Sequence, residues 1–238
     1  MNPQQISNFF EVIRSNKLIS SKEISDILAN SDLPEYSSKH IGHESPSSNA
    51  GKILYALGRS ESIKTALVCF AGPPGPNGLF CLSKGFSNKN GQVFALEGRR
   101  RYAFLNWLFL FKHKLTKSVT IHFKRIELPK DKPWFDKNID VPTLDLFAVD
   151  IDDKGSENLY QFIISKYEPK LIFVENSGYR PNENNLDILE YDYEDEELFK
   201  KSIEKTGQYQ LLISRCDSKL KVPGRKFSLY IKKHYCIE

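Results

Sequence analysis

The sequence predicts an α/β protein: a doubly wound, Rossmann-like and mostly parallel sheet with an N-terminal helical cap. Three observations carry the prediction. From Glu61 onward, short apolar runs alternate with segments of helical periodicity. Several runs are apolar almost without interruption, as strands covered on both faces are. The first run is joined to the helix after it by a loop rich in glycine and proline, at the place where such sheets hold ligands.

The first 60 residues read as helical. "QQISNFFEVIRSN" places Ile6, Phe9, Phe10 and Ile13 at helical spacing, and "SSKEISDILAN" offers Ser21 as N-cap with Ile24, Ile27 and Leu28 on one face. A polar loop containing "KHIGHES" follows, and "SSNAGKILYALGRS" gives a third helix with Ile53, Leu54 and Leu57 apolar and Gly58 near its C-terminal end. The division expected is a helical cap or lid over 1–46 and a Rossmann-like domain over 47–238. Two helices before a loop also fit a winged-helix DNA reader. However, Arg14, Lys17, Lys22, Lys39, Lys52 and Arg59 are matched by Glu11, Glu23, Asp26, Asp32, Glu35 and Glu44, a poor grip on phosphate.

The alternation then runs in order. "KTALVCF" is a buried strand, "GLFCLSKGF" a short helix, "GQVFALEG" a second strand and "RRRYAFLNWLFLFKHK" a long helix. "SVTIHFKRI" and "TLDLFAVDID" are strands three and four, "SENLYQFIISKY" a helix and "PKLIFVEN" the fifth strand. "EELFKKSIEKTGQ" is a helix, and "YQLLISR" and "KFSLYIKK" are the last strands. His122 lies within the third strand and is expected to be a satisfied core or face residue.

Composition narrows the class. The 238 residues are 40% hydrophobic, with 16 Phe and 11 Tyr, enough for a packed core. No apolar stretch reaches about 18 residues and no signal peptide is visible at the N-terminus, so a cytoplasmic protein without a membrane partner is expected. Cys69, Cys81, Cys216 and Cys236 form no C-x-x-C pair, which disfavours a zinc ribbon and suits reduced structural cysteines. Between Lys84 and Lys137 there are 13 Lys/Arg against Glu97, Glu127, Asp131 and Asp136. That excess keeps a nucleic-acid or phosphorylated partner open, beside the plainer reading of a solvated surface.

The chemistry centres on "AGPPGPNG". Gly72, Gly75 and Gly78 recur every third residue, allowing positive φ and close approach of backbone to a ligand, while Pro73, Pro74 and Pro76 stiffen the turn. Glu97 ends the second strand, with Gly98 directly after it. A carboxylate there can accept hydrogen bonds from both hydroxyls of a ribose. No G-K-[ST] accompanies the loop, which disfavours an NTPase. The triplet Arg99, Arg100 and Arg101 opens the long helix, where cations oppose the helix dipole. Asp150 and Asp152, two apart at a strand end, are candidates for a general base or for a divalent cation that binds acceptor hydroxyls. Glu175 and Asn176 end the fifth strand and could orient an acceptor, with Arg180 beyond them meeting an anionic group. His40, His43 and Glu44 could serve as metal ligands or a base on a lid. No residue is assigned to a resident metal.

The series "ALVCFAGPPGPNGLF", "GQVFALEGRRRYAFLNWLFLF", "SVTIHFKRI", "LDLFAVDIDDKGSENLYQFI" and "EPKLIFVEN" resembles the class I S-adenosylmethionine-dependent methyltransferases, and most closely the FkbM-type family. That family carries D-L-h-h-I-D-h-(D/E)-G on one strand, where h is apolar, and P-K-h-h-h-h-E on the next. Asp145, Asp150 and Asp152 match the first, and Pro169, Lys170 and Glu175 the second. The resemblance spans roughly Ile63 to Tyr230. It implies S-adenosylmethionine as cofactor, held by Gly72, Pro73, Gly75, Gly78, Glu97 and Gly98. It also implies O-methylation of a saccharide or other small hydroxyl acceptor beside Asp150, Asp152 and Glu175. The strand before the loop ends Cys69-Phe70-Ala71 without a carboxylate, and Asp153 stands where the family often has glycine. Two other readings stay open. One is a metal-dependent nuclease using Asp150, Asp152 and Lys154, with Asp140 or Asp145 upstream. The other is a non-catalytic binding protein on a degenerate methyltransferase fold.

Overall fold

A computed structural model describes residues 49–69, 71–72, 74–87, 89–150, 157–176, 179–182, 185–191, 193–216 and 226–235. The two helices expected within the first 46 residues, the cap boundary there, His40, His43 and Glu44 lie outside them.

Helix α1 (Asn49–Arg59) leads into β1 (Thr65–Cys69), and α2 (Gly78–Phe86) into β2 (Gln92–Glu97). Helix α3 (Arg100–Lys112) precedes β3 (Val119–Phe123), and α4 (Lys132–Asn138) precedes β4 (Leu146–Asp150). Helix α5 (Glu157–Tyr167) joins β4 to β5 (Leu171–Asn176). A hairpin of β6 (Tyr179–Asn182) and β7 (Asn185–Tyr191) comes next, then α6 (Tyr193–Lys205), β8 (Tyr209–Cys216) and β9 (Lys226–Lys232). A final 3₁₀ turn covers Lys233–Tyr235. The alternation anticipated every strand of the large sheet. It missed α4, whose Pro133 sits in the first turn where a missing N–H costs nothing, and it missed the β6–β7 hairpin.

The large sheet has seven strands in the order β3-β2-β1-β4-β5-β9-β8. Strands β1 to β5 pair in parallel, and β9 runs antiparallel to both β5 and β8. Alternation along the strands divides the core. Ala66, Val68, Val93, Ala95, Leu146, Ala148, Leu171 and Phe173 pack with α1, α2 and α3 on one face. Leu67, Cys69, Leu96, Phe147, Val149, Ile172 and Val174 pack with α4, α5 and α6 on the other. Cys69 is fully buried there, and burial pushes its thiol well above the usual range, so it is a small neutral filler.

Gly58 falls near the C-terminal end of α1, as expected. It lies at a helix crossing. A Cβ on Gly58 would stand 2.6 Å from the Leu82 carbonyl oxygen, and one on Gly85 of α2 would stand 2.5 Å from the Tyr55 carbonyl oxygen. Two glycines therefore let α1 and α2 approach backbone to backbone near their C-terminal ends.

At the N-terminal edge, Asp145 joins β1 to β4. Its Oδ2 accepts from the backbone N–H groups of Lys64 at 2.7 Å and Thr65 at 3.0 Å, and its Oδ1 pairs with Lys170 Nζ at 2.7 Å. Burial pushes this carboxyl up, but the Lys170 ammonium and the two amides outweigh it and hold it below the usual carboxylate range.

Candidate functional site

The opposite, C-terminal edge carries the sequence-predicted site. The strand order reverses direction between β1 and β4, so a crevice opens outside the ends of those two strands. The loop after β1 turns there. Gly72 has φ +69° and Gly75 φ +134°, and a Cβ built on either would meet nothing within 4 Å. Both glycines are therefore required by backbone conformation, and both face open space where a ligand could lie against the chain. Gly78 is the first residue of α2 and is buried. Pro73 lies outside the described residues.

Glu97 is 4% exposed and reaches the loop. Its Oε2 accepts from the Gly72 N–H at 3.1 Å, and its Oε1 from the Arg99 N–H at 2.8 Å. One carboxylate thus binds the glycine turn to the start of α3. It also answers the difficulty of the arginine triplet: α3 has no side-chain N-cap bond, and Glu97 supplies the negative charge that its N-terminus lacks. Arg99, Arg100 and Arg101 are themselves exposed, with the Arg99 guanidinium 5.2 Å from the centre of the Tyr102 ring. Gly98 passes close to Arg125, whose Cβ would be 3.3 Å from an added methyl.

Two asparagines that sequence reasoning missed complete the turn. Asn77 caps α2, its Oδ1 accepting from Phe80 N–H at 3.0 Å, while its Nδ2 donates to the Ala71 carbonyl at 2.8 Å and to Asn106 Oδ1 at 3.0 Å. Asn106, 2% exposed on the inner face of α3, donates in turn from Nδ2 to the Gly72 carbonyl at 3.0 Å. The peptide groups of Ala71 and Gly72 are thus held by Glu97, Asn77 and Asn106, from three separate elements. A polar residue on the apolar side of α3, beside Ala103 and Leu110, was the available signal for Asn106.

The register places the other candidates. Cys69 pairs with Leu96 and with Val149, and Val149 with Val174. One step further along the strands stand Glu97, Asp150 and Glu175, the last two paired directly. Strands about 4.8 Å apart put Asp150 about 10 Å from Glu97, on the far side of the crevice. Glu175 is 4% exposed. Asn176 and Arg180 fall in β5 and β6, and Asp152 and Lys154 lie outside the described residues.

Asp145 is at the wrong edge for the nuclease arrangement. It precedes β4 and Asp150 ends it, so the two stand about 16 Å apart at about 3.3 Å per residue, and Asp145 already serves Lys170 and two amides. Asp140, in the loop before β4, belongs to that same edge. Among the described residues, no three His, Cys, Asp or Glu side chains come together as a metal site, and no helix is long and apolar enough to cross a membrane. His122 is half-buried between Phe94 and Trp134, and burial lowers its pKa; it fills a sheet face as expected, but its buried Nε2 is not satisfied by a hydrogen bond among the described residues.

No family model and no curated protein matches the sequence. Solved structures do resemble it. The O-methyltransferase from Bacillus cereus in complex with SAH shares 16% identity over 95% of this chain and 100% of its own, with a TM-score of 0.60. The O-methyltransferase TomG from Streptomyces achromogenes, involved in tomaymycin synthesis and solved with SAM, shares 16% identity over 98% and 99%, at 0.57. Cofactor-bound Rv0187 from MTB shares 18% over 98% of both chains, at 0.56. The chain has the class I methyltransferase fold. Within that fold, the glycine turn after β1 and the acid ending β2 occupy the edge of the sheet where a nucleoside cofactor would be sought.

Proposed function

We propose that the protein is an S-adenosylmethionine-dependent methyltransferase that methylates a hydroxyl oxygen of a saccharide or other small molecule. One observation carries the reading: the Gly72–Glu97 hydrogen bond, which welds a positive-φ glycine turn to a buried strand-end carboxylate beside the crevice. The residues fit the cofactor. Gly72 and Gly75 leave open space where side chains would otherwise stand, and Glu97 offers a carboxylate for a ribose diol.

When bound, S-adenosylmethionine supplies an electrophilic methyl group on a sulfonium sulfur. The chain's contribution is placement. Glu97 and the turn fix the adenosyl end, and Asn77 and Asn106 keep the turn from relaxing. Asp150 and Glu175 stand across the crevice. A carboxylate there would orient the acceptor hydroxyl toward the methyl group and take its proton as the C–O bond forms and the methyl–sulfur bond breaks, which would leave S-adenosylhomocysteine. The placing among FkbM-type enzymes rests on the two strand motifs, and the Asp145–Lys170 ion pair joins one to the other.

Isothermal titration with S-adenosylhomocysteine tests the reading. Micromolar or tighter binding is expected. Absence of heat and of any thermal upshift at millimolar ligand would leave the non-catalytic reading in its place.

A further inference from the structure

Helix α3 presents a second, outward stripe that the site does not use. Phe104, Trp107, Leu108 and Phe111 follow the i, i+3, i+4, i+7 spacing, and they are 58%, 43%, 39% and 60% exposed. The inward side of the same helix is Ala103, Asn106 and Leu110. Trp107 and Phe111 stack, with ring centres 5.3 Å apart, so the stripe is continuous. It has a charged frame of one sign. Arg100 and Arg101 lie four and three residues before Phe104, Lys112 lies four after Leu108, and Lys114 and Lys117 follow; all five are exposed. No Asp or Glu occurs from Gly98 to Ile126.

We infer that this face docks on an anionic phospholipid surface. An apolar aromatic ridge with cations at both ends and no acid within the helix itself is the chemistry of a helix lying in the membrane interface. There the rings enter the acyl boundary and the cations remain among the headgroups. At 13 residues α3 is too short to span a bilayer and long enough to lie flat on one. Charge decides against a second copy. A two-fold pairing of α3 with itself would set Arg100 and Arg101 against Lys112 and Lys114, or against themselves, with no acid on the helix to relieve it. A nucleic-acid groove is disfavoured because the middle of the stripe, where phosphates would need partners, is wholly apolar. Phe123, at the end of the edge strand β3, is also 54% exposed.

The test uses the full chain carrying Trp134→Phe, which leaves Trp107 as the single tryptophan. It is mixed with vesicles of phosphatidylcholine alone or with phosphatidylglycerol. The expected result is co-sedimentation with the anionic vesicles only, weakened by salt, with Trp107 emission shifted to the blue. Phe104→Ser with Phe111→Ser, and separately Arg100→Glu with Arg101→Glu, should each lower partitioning about tenfold or more while circular dichroism and S-adenosylhomocysteine titration stay unchanged. Three results would overturn the inference: no binding to anionic vesicles; a blue-shifted, quencher-protected Trp107 without vesicles, alone or in a chain that elutes as a dimer; or retention by oligonucleotides that the Phe104 and Phe111 changes do not affect.

Discussion

Replacing Glu97 with alanine separates a site built for an adenosyl group from a turn that is merely well packed. The carboxylate accepts two backbone amides, at 3.1 and 2.8 Å, and charge-assisted bonds of this kind contribute about 1.5–3 kcal/mol each. The Gly72 and Arg99 backbones are within reach of water, so each bond contributes nearer the ordinary net value of about 0.5–1.5 kcal/mol, about 1–3 kcal/mol to folding in all. The cost to binding is larger. A ribose diol would lose two hydrogen bonds to a buried anion, and the turn it rests on would lose its tether. About 3 kcal/mol corresponds to about a hundredfold weaker complex with S-adenosylhomocysteine. Glu97→Gln keeps the shape but turns an N–H donor toward one of the two amides, so an intermediate loss of about tenfold is expected. Titration calorimetry reads the affinity and differential scanning calorimetry the fold. Alanine and wild type binding within about threefold of each other, with the variant folded, would refute the ribose assignment.

Asn106→Leu, which removes one partner from Asn77 and one from the Gly72 carbonyl, is expected to lower stability by about 2–4 kcal/mol and to weaken S-adenosylhomocysteine without touching it; urea denaturation and titration would show both. Gly85→Ala forces a methyl to 2.5 Å from a backbone oxygen that cannot rotate away, and should cost about 1–3 kcal/mol in thermal unfolding, whereas Gly72→Ala has space but not φ, so about 1–2 kcal/mol of strain is expected there. Asp145 is held below its usual carboxylate range in the fold. Its contribution is therefore complete above the unfolded value of about 3.9 and is lost as pH falls through the folded one; Asp145→Asn should flatten the acid limb of a stability–pH profile below about pH 4 while lowering the plateau.

The strands were legible because parallel strands covered on both faces must be apolar throughout, and "TALVC", "LFAVD" and "LIFVE" leave little else to be. The glycine turn was legible for a different reason: only glycine tolerates φ +69° and +134° without strain, so the residue type announces the backbone. Asn77 and Asn106 carried no such announcement. They are distant in the chain, and each alone suits a turn or a helix surface; only α3 folding back over the loop brings them within 3.0 Å. Asp145 misled for the opposite reason. Five residues from Asp150, it is near in sequence, but along an extended strand five residues reach from one edge of the sheet to the other.

The three strand-end acids show where the division between sequence and topology falls. Strands β2, β4 and β5 read QVFALE, LFAVD and LIFVEN, so each brings a carboxylate to its C-terminal end. Once the strands are parallel, those ends share one edge of the sheet, and that much follows from the apolar pattern alone. Which acids are neighbours does not follow. The order β2-β1-β4-β5 inserts β1 between Glu97 and Asp150, which leaves room for the crevice, and sets Asp150 directly beside Glu175. The same three acids in an order that placed β2 against β4 would put Glu97 and Asp150 about 5 Å apart, too close to hold a ribose with one and an acceptor with the other. The crossover between β3 and β4, and not any single residue, therefore sets the strand-end acids on two sides of one crevice.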